Sequence, residues 1–144
     1  MAEKSIFSKF YLWLISPEVF GSITKKIPGK WELYEYYLDT DEQLLHVPES
    51  DLSARTETLF IEFSPDGQFS FTADLPVSLF QKDKKGSWSV NRNFITLVDS
   101  SDFRDNIEFQ FAFEKENLKL LKKDKFGKIE FFGFFKQQGA ASRF

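Results

Sequence analysis

From residue 107 to 114 the chain reads Ile-Glu-Phe-Gln-Phe-Ala-Phe-Glu, with Ile107, Phe109, Phe111 and Phe113 on one parity and Glu108, Gln110 and Glu114 on the other. An extended strand sends successive side chains to opposite faces, so it alone can bury the first set and leave the charges wet. Weaker versions of the same period recur from Gly29 onward. They predict strands over 30–38, 57–63, 68–74, 78–83, 87–90, 94–98, 107–114, 118–123 and 128–136, the one over 78–83 having the faintest pattern. Turn chemistry separates them. Ser64-Pro65-Asp66-Gly67 places proline where its fixed φ suits position i+1. Leu75-Pro76, Asn91-Arg92-Asn93, Lys115-Glu116-Asn117 and 124–127 interrupt the remaining runs. Only one connection is long, the segment Asp39–Thr56, which is predicted as a loop.

Short connections make consecutive strands antiparallel neighbours. A meander of this length with one apolar face must hide its two edges, and closing on itself does so. The expected fold is therefore mostly β, an antiparallel up-and-down barrel of 8–9 strands. Its core is to be built from rings. The 144 residues include 19 Phe, 4 Tyr and 3 Trp, and each ring buries roughly 150–250 Å².

The first residues read differently. Ile6, Phe7, Phe10, Trp13 and Leu14 recur at helical spacing, Ser5 can cap the start, and Ser16-Pro17 ends the run. A second helical turn over 17–23 would carry Pro17 at its first position. This amphipathic helix is expected to cap one end of the barrel, giving a helical segment at 1–26, a barrel at 27–136 and a flexible polar tail at 137–144. Lys4 and Lys9 are the only positive charges on its polar face, thin for a helix lying on a membrane. Ser8 and Lys9 interrupt the apolar run and no small-x-small cleavage site follows, which argues against a signal peptide.

A net charge of −3 lacks the basic excess of a nucleic-acid binder. The lysines at 82, 84, 85, 119, 122, 123, 125 and 128 gather at hairpins and read as solvated, edge-protecting groups. Without cysteine the chain forms neither disulfides nor thiolate metal sites, and no cofactor is implied. The cytosol is favoured over a disulfide-free periplasmic location. His46, the single histidine, stands among Asp39, Asp41, Glu42, Glu49 and Asp51. A solvated acidic loop explains that better than a metal site, which usually wants two or more His or Cys at fixed spacing. No nucleophile elbow or serine–histidine pairing is present, so the chain is read as a non-enzyme.

Gly29-Lys30-Trp31, opening the first strand after a short helical segment, resembles the lipocalin signature. Phe63-Ser64-Pro65-Asp66-Gly67-Gln68-Phe69, followed by a second Gly-x-Trp at Gly86-Ser87-Trp88, resembles the bacterial lipocalin-like domain family, a group of calycin-type β-barrels. The resemblance covers roughly residues 27–136. It implies that Trp31 and Trp88 lie near each other at the closed end, beside Trp13, with the 30–38 strand running from that end to the open end and the 87–90 strand also starting at the closed end. It also implies that the 39–56 loop lies over an open mouth. Where the family carries an arginine late in the barrel to stack on the first tryptophan, this chain offers Lys128 or Lys136.

The function expected is non-enzymatic binding of a small apolar or amphipathic ligand. Leu33, Tyr37, Phe69, Phe71, Phe109 and Phe111 would line the interior. Glu35, on the Trp31–Leu33–Tyr37 parity, is the candidate anchor for a polar group. The alternative is a filled structural barrel that docks a protein through exposed Phe132 or Phe134, on the face opposite Phe131 and Phe135. Oligomeric state is not legible in the sequence.

Overall fold

Alternating runs joined by tight turns pair with their neighbours in order. The computed structural model describes residues 25–40, 42–54, 57–80 and 82–138. Within them nine strands form one antiparallel sheet. These are β1 (Gly29–Asp39), β2 (Leu44–Val47), β3 (Thr58–Phe63), β4 (Gln68–Asp74), β5 (Lys84–Asn91), β6 (Phe94–Asp99), β7 (Asn106–Glu114), β8 (Asn117–Lys123) and β9 (Ile129–Gln137), with one short helix, α1 (Glu49–Ala54). β3 to β9 are successive neighbours and β9 pairs back onto β1. Eight strands thus close an up-and-down barrel, and β2 extends the same side of β1 that β3 pairs with lower down. The predicted helix over 5–15, its cap on the barrel, the turn over 17–23, Trp13 and residues 139–144 lie outside the described residues. Gln137 pairs with Trp31 at the end of β9, and the Gln138 amide donates to the Lys30 carbonyl at 2.7 Å, so the start of the polar tail is fastened.

Two predicted segments take other forms. The described residues of 39–54 are not one loop: Tyr36–Asp39 pairs with Leu44–Val47 as a hairpin, and α1 follows with Leu52 buried. The Thr40 hydroxyl donates to the Gln43 carbonyl at 2.7 Å and closes that hairpin. The strand predicted from 78 is not there: Ser78–Phe80 is a 3₁₀ turn. β5 bonds β4 only from Gln68↔Ser87 to Phe71↔Lys84, and beyond that point the Ala73 amide donates to the Asp83 carboxylate at 3.0 Å. The faint pattern has its counterpart here: burial alternates at Leu75 and Val77, then shifts by one at the 3₁₀ turn, where Ser78 is exposed and Phe80 is the buried residue.

The register fixes two ends. β1 starts, β9 finishes and the β3–β4, β5–β6 and β7–β8 turns lie at the first end. The β1–β2 hairpin, α1, the β4–β5 connection, the β6–β7 loop and the β8–β9 turn lie at the far end. The Gly-x-Trp glycines have physical reasons for being glycine. Gly29 has φ 139°, a conformation that side chains rarely adopt. A Cβ on Gly86 would run into the Val98 carbonyl across the sheet.

One parity of each strand meets inside: Trp31, Leu33 and Tyr36 of β1, Leu59, Ile61 and Phe63 of β3, Phe69 and Phe71 of β4, Ile95 and Leu97 of β6, Phe109 and Phe111 of β7, Leu118 and Leu120 of β8, Phe131 and Phe135 of β9. Full burial of such a side chain is worth about 1.5–3 kcal/mol. A second cluster, Ala112, Leu121, Ile129 and Phe132, sits on the outer face with Tyr37, Leu44 and Phe134 packed against it. Phe132 and Phe134 do face away from Phe131 and Phe135, but Phe132 is only 1% exposed. The expected exposed docking patch is corrected to a buried outer cluster.

Candidate binding site

The barrel brings most of the predicted lining residues together and turns two away. Leu33, Phe69, Phe71, Phe109 and Phe111 all lie in the inner core. Glu35 and Tyr37 do not, because β1 carries a bulge against β9 between Leu33 and Glu35. The extra residue reverses the parity of everything after it. Tyr36 takes the inner position, stacked at 5.8 Å on Phe131, and Tyr37 faces outward opposite Phe132.

Outside, Glu35, Tyr37 and His46 form a small cluster of their own. His46 lies on β2, not in a solvated loop. Its Nε2 is 2.6 Å from a Glu35 carboxylate oxygen, and its ring lies flat on Tyr37 at 4.2 Å. Burial, then the Glu35 charge, pushes the Tyr37 phenol above its ordinary value. Tyr34, beside the bulge, is raised for the same two reasons in the same order, with Glu114 adding to them. Among the described residues no three His, Cys, Asp or Glu groups come together as metal ligands.

At the centre of the lining stands a residue that parity did not assign to it. Phe80, carried on the 3₁₀ turn of the β4–β5 connection, is fully buried. Its ring centroid is 4.8 Å from Phe131, 5.3 Å from Phe71 and 6.2 Å from Phe109. Leu75 and Val77 of the same connection are buried in the same core. The connection thus folds inward at the far end and places a ring against two predicted ligand contacts. The dense apolar content of Val77-Ser78-Leu79-Phe80 immediately after Pro76 was the available signal.

A second missed residue is polar. On β5, Lys84 shares parity with Gly86, Trp88 and Val90, the last two packed on the inner core. It lies across from inward-facing Phe71, so its side chain sits at the inner rim of the far end. Its Nζ is 2.7 Å from the Asp105 carboxylate on the β6–β7 loop. Lys122 of β8 shares parity with Leu118 and Leu120, lies opposite Phe131 and holds Glu130 at 3.2 Å. Both lysines are only 22% exposed. Together with Ser78, Leu79 and Ile107 they line a groove of about 340 Å³. A second groove of about 720 Å³ lies on the other side of the Lys84–Asp105 pair, over the gap where β4 and β5 part, and Phe71 forms part of its wall. Stepping back by twos from Trp88 in the sequence would have found Lys84.

The tryptophans mark the first end. The Trp31 indole donates to the Ile27 carbonyl at 2.8 Å, and the Trp88 indole donates to the Ser64 carbonyl at 2.9 Å. Phe63, paired with Gly29, meets Trp88 edge-on at 5.4 Å. Both tryptophans therefore lie at one end, as the motif resemblance implies. The expected direction of the second strand is corrected, since β5 runs toward this end rather than from it. Trp31 meets Phe113 at 5.9 Å, while the Lys136 ammonium lies over Tyr34 at 5.9 Å and pairs with Glu49.

No family model matches the sequence, and no curated protein matches it. Among solved structures, the fold is similar to a lipocalin-like protein from Bacteroides uniformis, at 16% identity and a TM-score of 0.48, over 78% of this chain and 98% of that one. It is similar also to an uncharacterized protein from Bacteroides eggerthii, at 14% identity and a TM-score of 0.46, over 77% of this chain and 98% of that one.

Proposed function

We propose that the chain is a non-enzymatic binding protein that takes a small apolar or amphipathic molecule into the aromatic interior of its barrel through the far end. The observation that carries this reading is the seating of Phe80. A fully buried ring reaches Phe71, Phe109 and Phe131 from a connecting segment rather than from a wall strand. It occupies the position that an apolar guest would take, and a three-residue turn can withdraw it without breaking the barrel ladder. Leu33, Phe69, Phe71, Phe109 and Phe111 remain as the apolar contacts, with Tyr36 replacing Tyr37 among them. Binding sites of this kind draw affinity from apolar burial and orientation from a few polar groups.

The test is a fluorescence titration of delipidated protein with dansyl-undecanoic acid, run on wild type and Phe80→Ala. Both should bind saturably. The variant should bind tighter by about tenfold or more, equivalent to about 1.4 kcal/mol, because the probe no longer has to displace a ring. A flat titration in both proteins refutes the reading and leaves a filled structural barrel.

A further inference from the structure

We propose that Lys84 and Lys122 form an anion subsite at the far-end rim, so that the molecule taken up is an amphiphile with an acidic head group. This rests on the binding reading above and names the ligand class for that same barrel. Toward this end the inner parity presents two ammonium groups, Lys84 and Lys122, and one carboxylate, Asp99, which ends β6 on the parity of Ile95 and Leu97 opposite Gly86 and lies on the 720 Å³ groove rather than the 340 Å³ one. Lys84 extends the row of Gly86, Trp88 and Val90 and lies opposite Phe71. Lys122 extends the row of Leu118 and Leu120 and lies opposite Phe131. Phe71 and Phe131 are two of the three rings that clasp Phe80. A head group bound at the rim therefore has its tail aimed at the seat of the Phe80 ring.

The geometry gives the carboxylate exchange a physical form. Asp105 reaches Lys84 at 2.7 Å and Glu130 reaches Lys122 at 3.2 Å. Both acids border the 340 Å³ groove that also contains Ser78 and Leu79, the two residues preceding Phe80. A ligand acid entering that groove meets ammonium groups already oriented by a carboxylate, and replaces one anionic partner with another. Asp105 is 44% and Glu130 35% exposed on the side chain, so each returns to water when displaced. Such partly exposed pairs are individually weak, which makes the exchange easy. The same groove touches the turn that carries Phe80, so occupancy there and withdrawal of the ring are neighbouring events.

The experiment compares dansyl-undecanoic acid with its methyl ester, which has the same chain but no charge. Wild type should bind the acid tighter than the ester by about tenfold at low salt. The ratio should shrink as salt rises. In the Lys84→Met, Lys122→Met double variant the ratio should fall to about one, and in Asp105→Asn it should rise because Lys84 loses its competitor. The ester titration in each variant reports whether the barrel is folded and open. Equal binding of acid and ester by wild type, or a preference that survives the double variant, overturns the anion subsite while leaving the binding reading intact. Failure of wild type and Phe80→Ala to bind either probe overturns both.

Discussion

Replacing Phe80 with alanine separates a ring that belongs to the core from one that merely rests on it. The side chain is fully buried, with ring partners at 4.8, 5.3 and 6.2 Å. Phe→Ala changes in packed cores cost about 3–5 kcal/mol, depending on how far the surroundings collapse into the space. Here the missing ring is carried by a connection that can move inward, while Phe71, Phe109 and Phe131 are held in the barrel ladder. Partial collapse places the expected loss near the lower bound, about 3 kcal/mol. For a domain of this length about 3 °C of melting temperature accompanies each kcal/mol, so the transition should fall by about 9 °C. Urea unfolding followed by the fluorescence of the three tryptophans gives the free energy directly, and an unchanged m-value confirms that the same surface unfolds. If the space is a ligand seat, saturating dansyl-undecanoic acid at about 100 times its dissociation constant should return about 2.7 kcal/mol. A loss below about 1 kcal/mol would refute the reasoning, since surface-like changes fall in that range and a core ring does not.

The remaining predictions concern the ladder, the first end and the outer cluster. Gly86→Ala drives a methyl group into the Val98 carbonyl and the Ser100 amide, so β5 must part from β6. The expected loss is about 3 kcal/mol, at the upper end of overpacking costs, measurable by urea unfolding. Trp31→Phe keeps a ring on Phe113 but leaves the Ile27 carbonyl without its indole donor in a buried site. That should cost about 1–3 kcal/mol in the same assay. Tyr34 and Tyr37 have phenol pKa values raised chiefly by burial. The folded chain therefore holds these protons where the unfolded chain releases them, and stability should fall as pH rises past the ordinary phenol value of about 10. Ultraviolet phenolate absorbance should show the Tyr34→Phe, Tyr37→Phe variant losing its late-titrating component; a native profile with no such component would refute the assignment.

Strand positions were legible because alternation is local. Gln68–Asp74 could be placed from Phe69 and Phe71 alone, and the turns at 64–67 and 91–93 had chemistry of their own. What alternation cannot report is an inserted residue. The bulge at Tyr34 has no mark in the sequence Trp-Glu-Leu-Tyr-Glu-Tyr-Tyr, since either tyrosine at 36 or 37 satisfies the inner position. The choice is made by β9, where Gly133 opposes Tyr36 and Phe132 opposes Tyr37. A Cβ on Gly133 would press into the Phe131 ring and Leu33, so glycine opposite Tyr36 leaves the room in which Phe131 stacks on the Tyr36 ring. Glu35 left the candidate site through the same slip. Lys84, by contrast, was legible and passed over, because a lysine among Lys82 and Lys85 looks like a solvated turn until it is counted in register with Trp88.

Strand parity also decides that one of the nine predicted strands could not belong to the ring. In a meander each strand reverses the one before it, so an odd number leaves the first and last strands running the same way. Nine strands over the predicted ranges would therefore have closed through a parallel seam. The observed seam, β1 with β9, is antiparallel, which requires an even count around the ring. The segment with the faintest alternation is the one that drops out: 78–83 supplies a 3₁₀ turn, and eight strands remain in the barrel. β2 restores the total to nine without entering the circuit, because it shares one side of β1 with β3. The missing strand has a functional consequence. A wall strand would have fixed alternate side chains of 78–83 in the ladder, whereas a connection at the far end is free to turn inward. Antiparallel closure and a connection able to carry Phe80 into the core are thus compatible with one requirement on strand number.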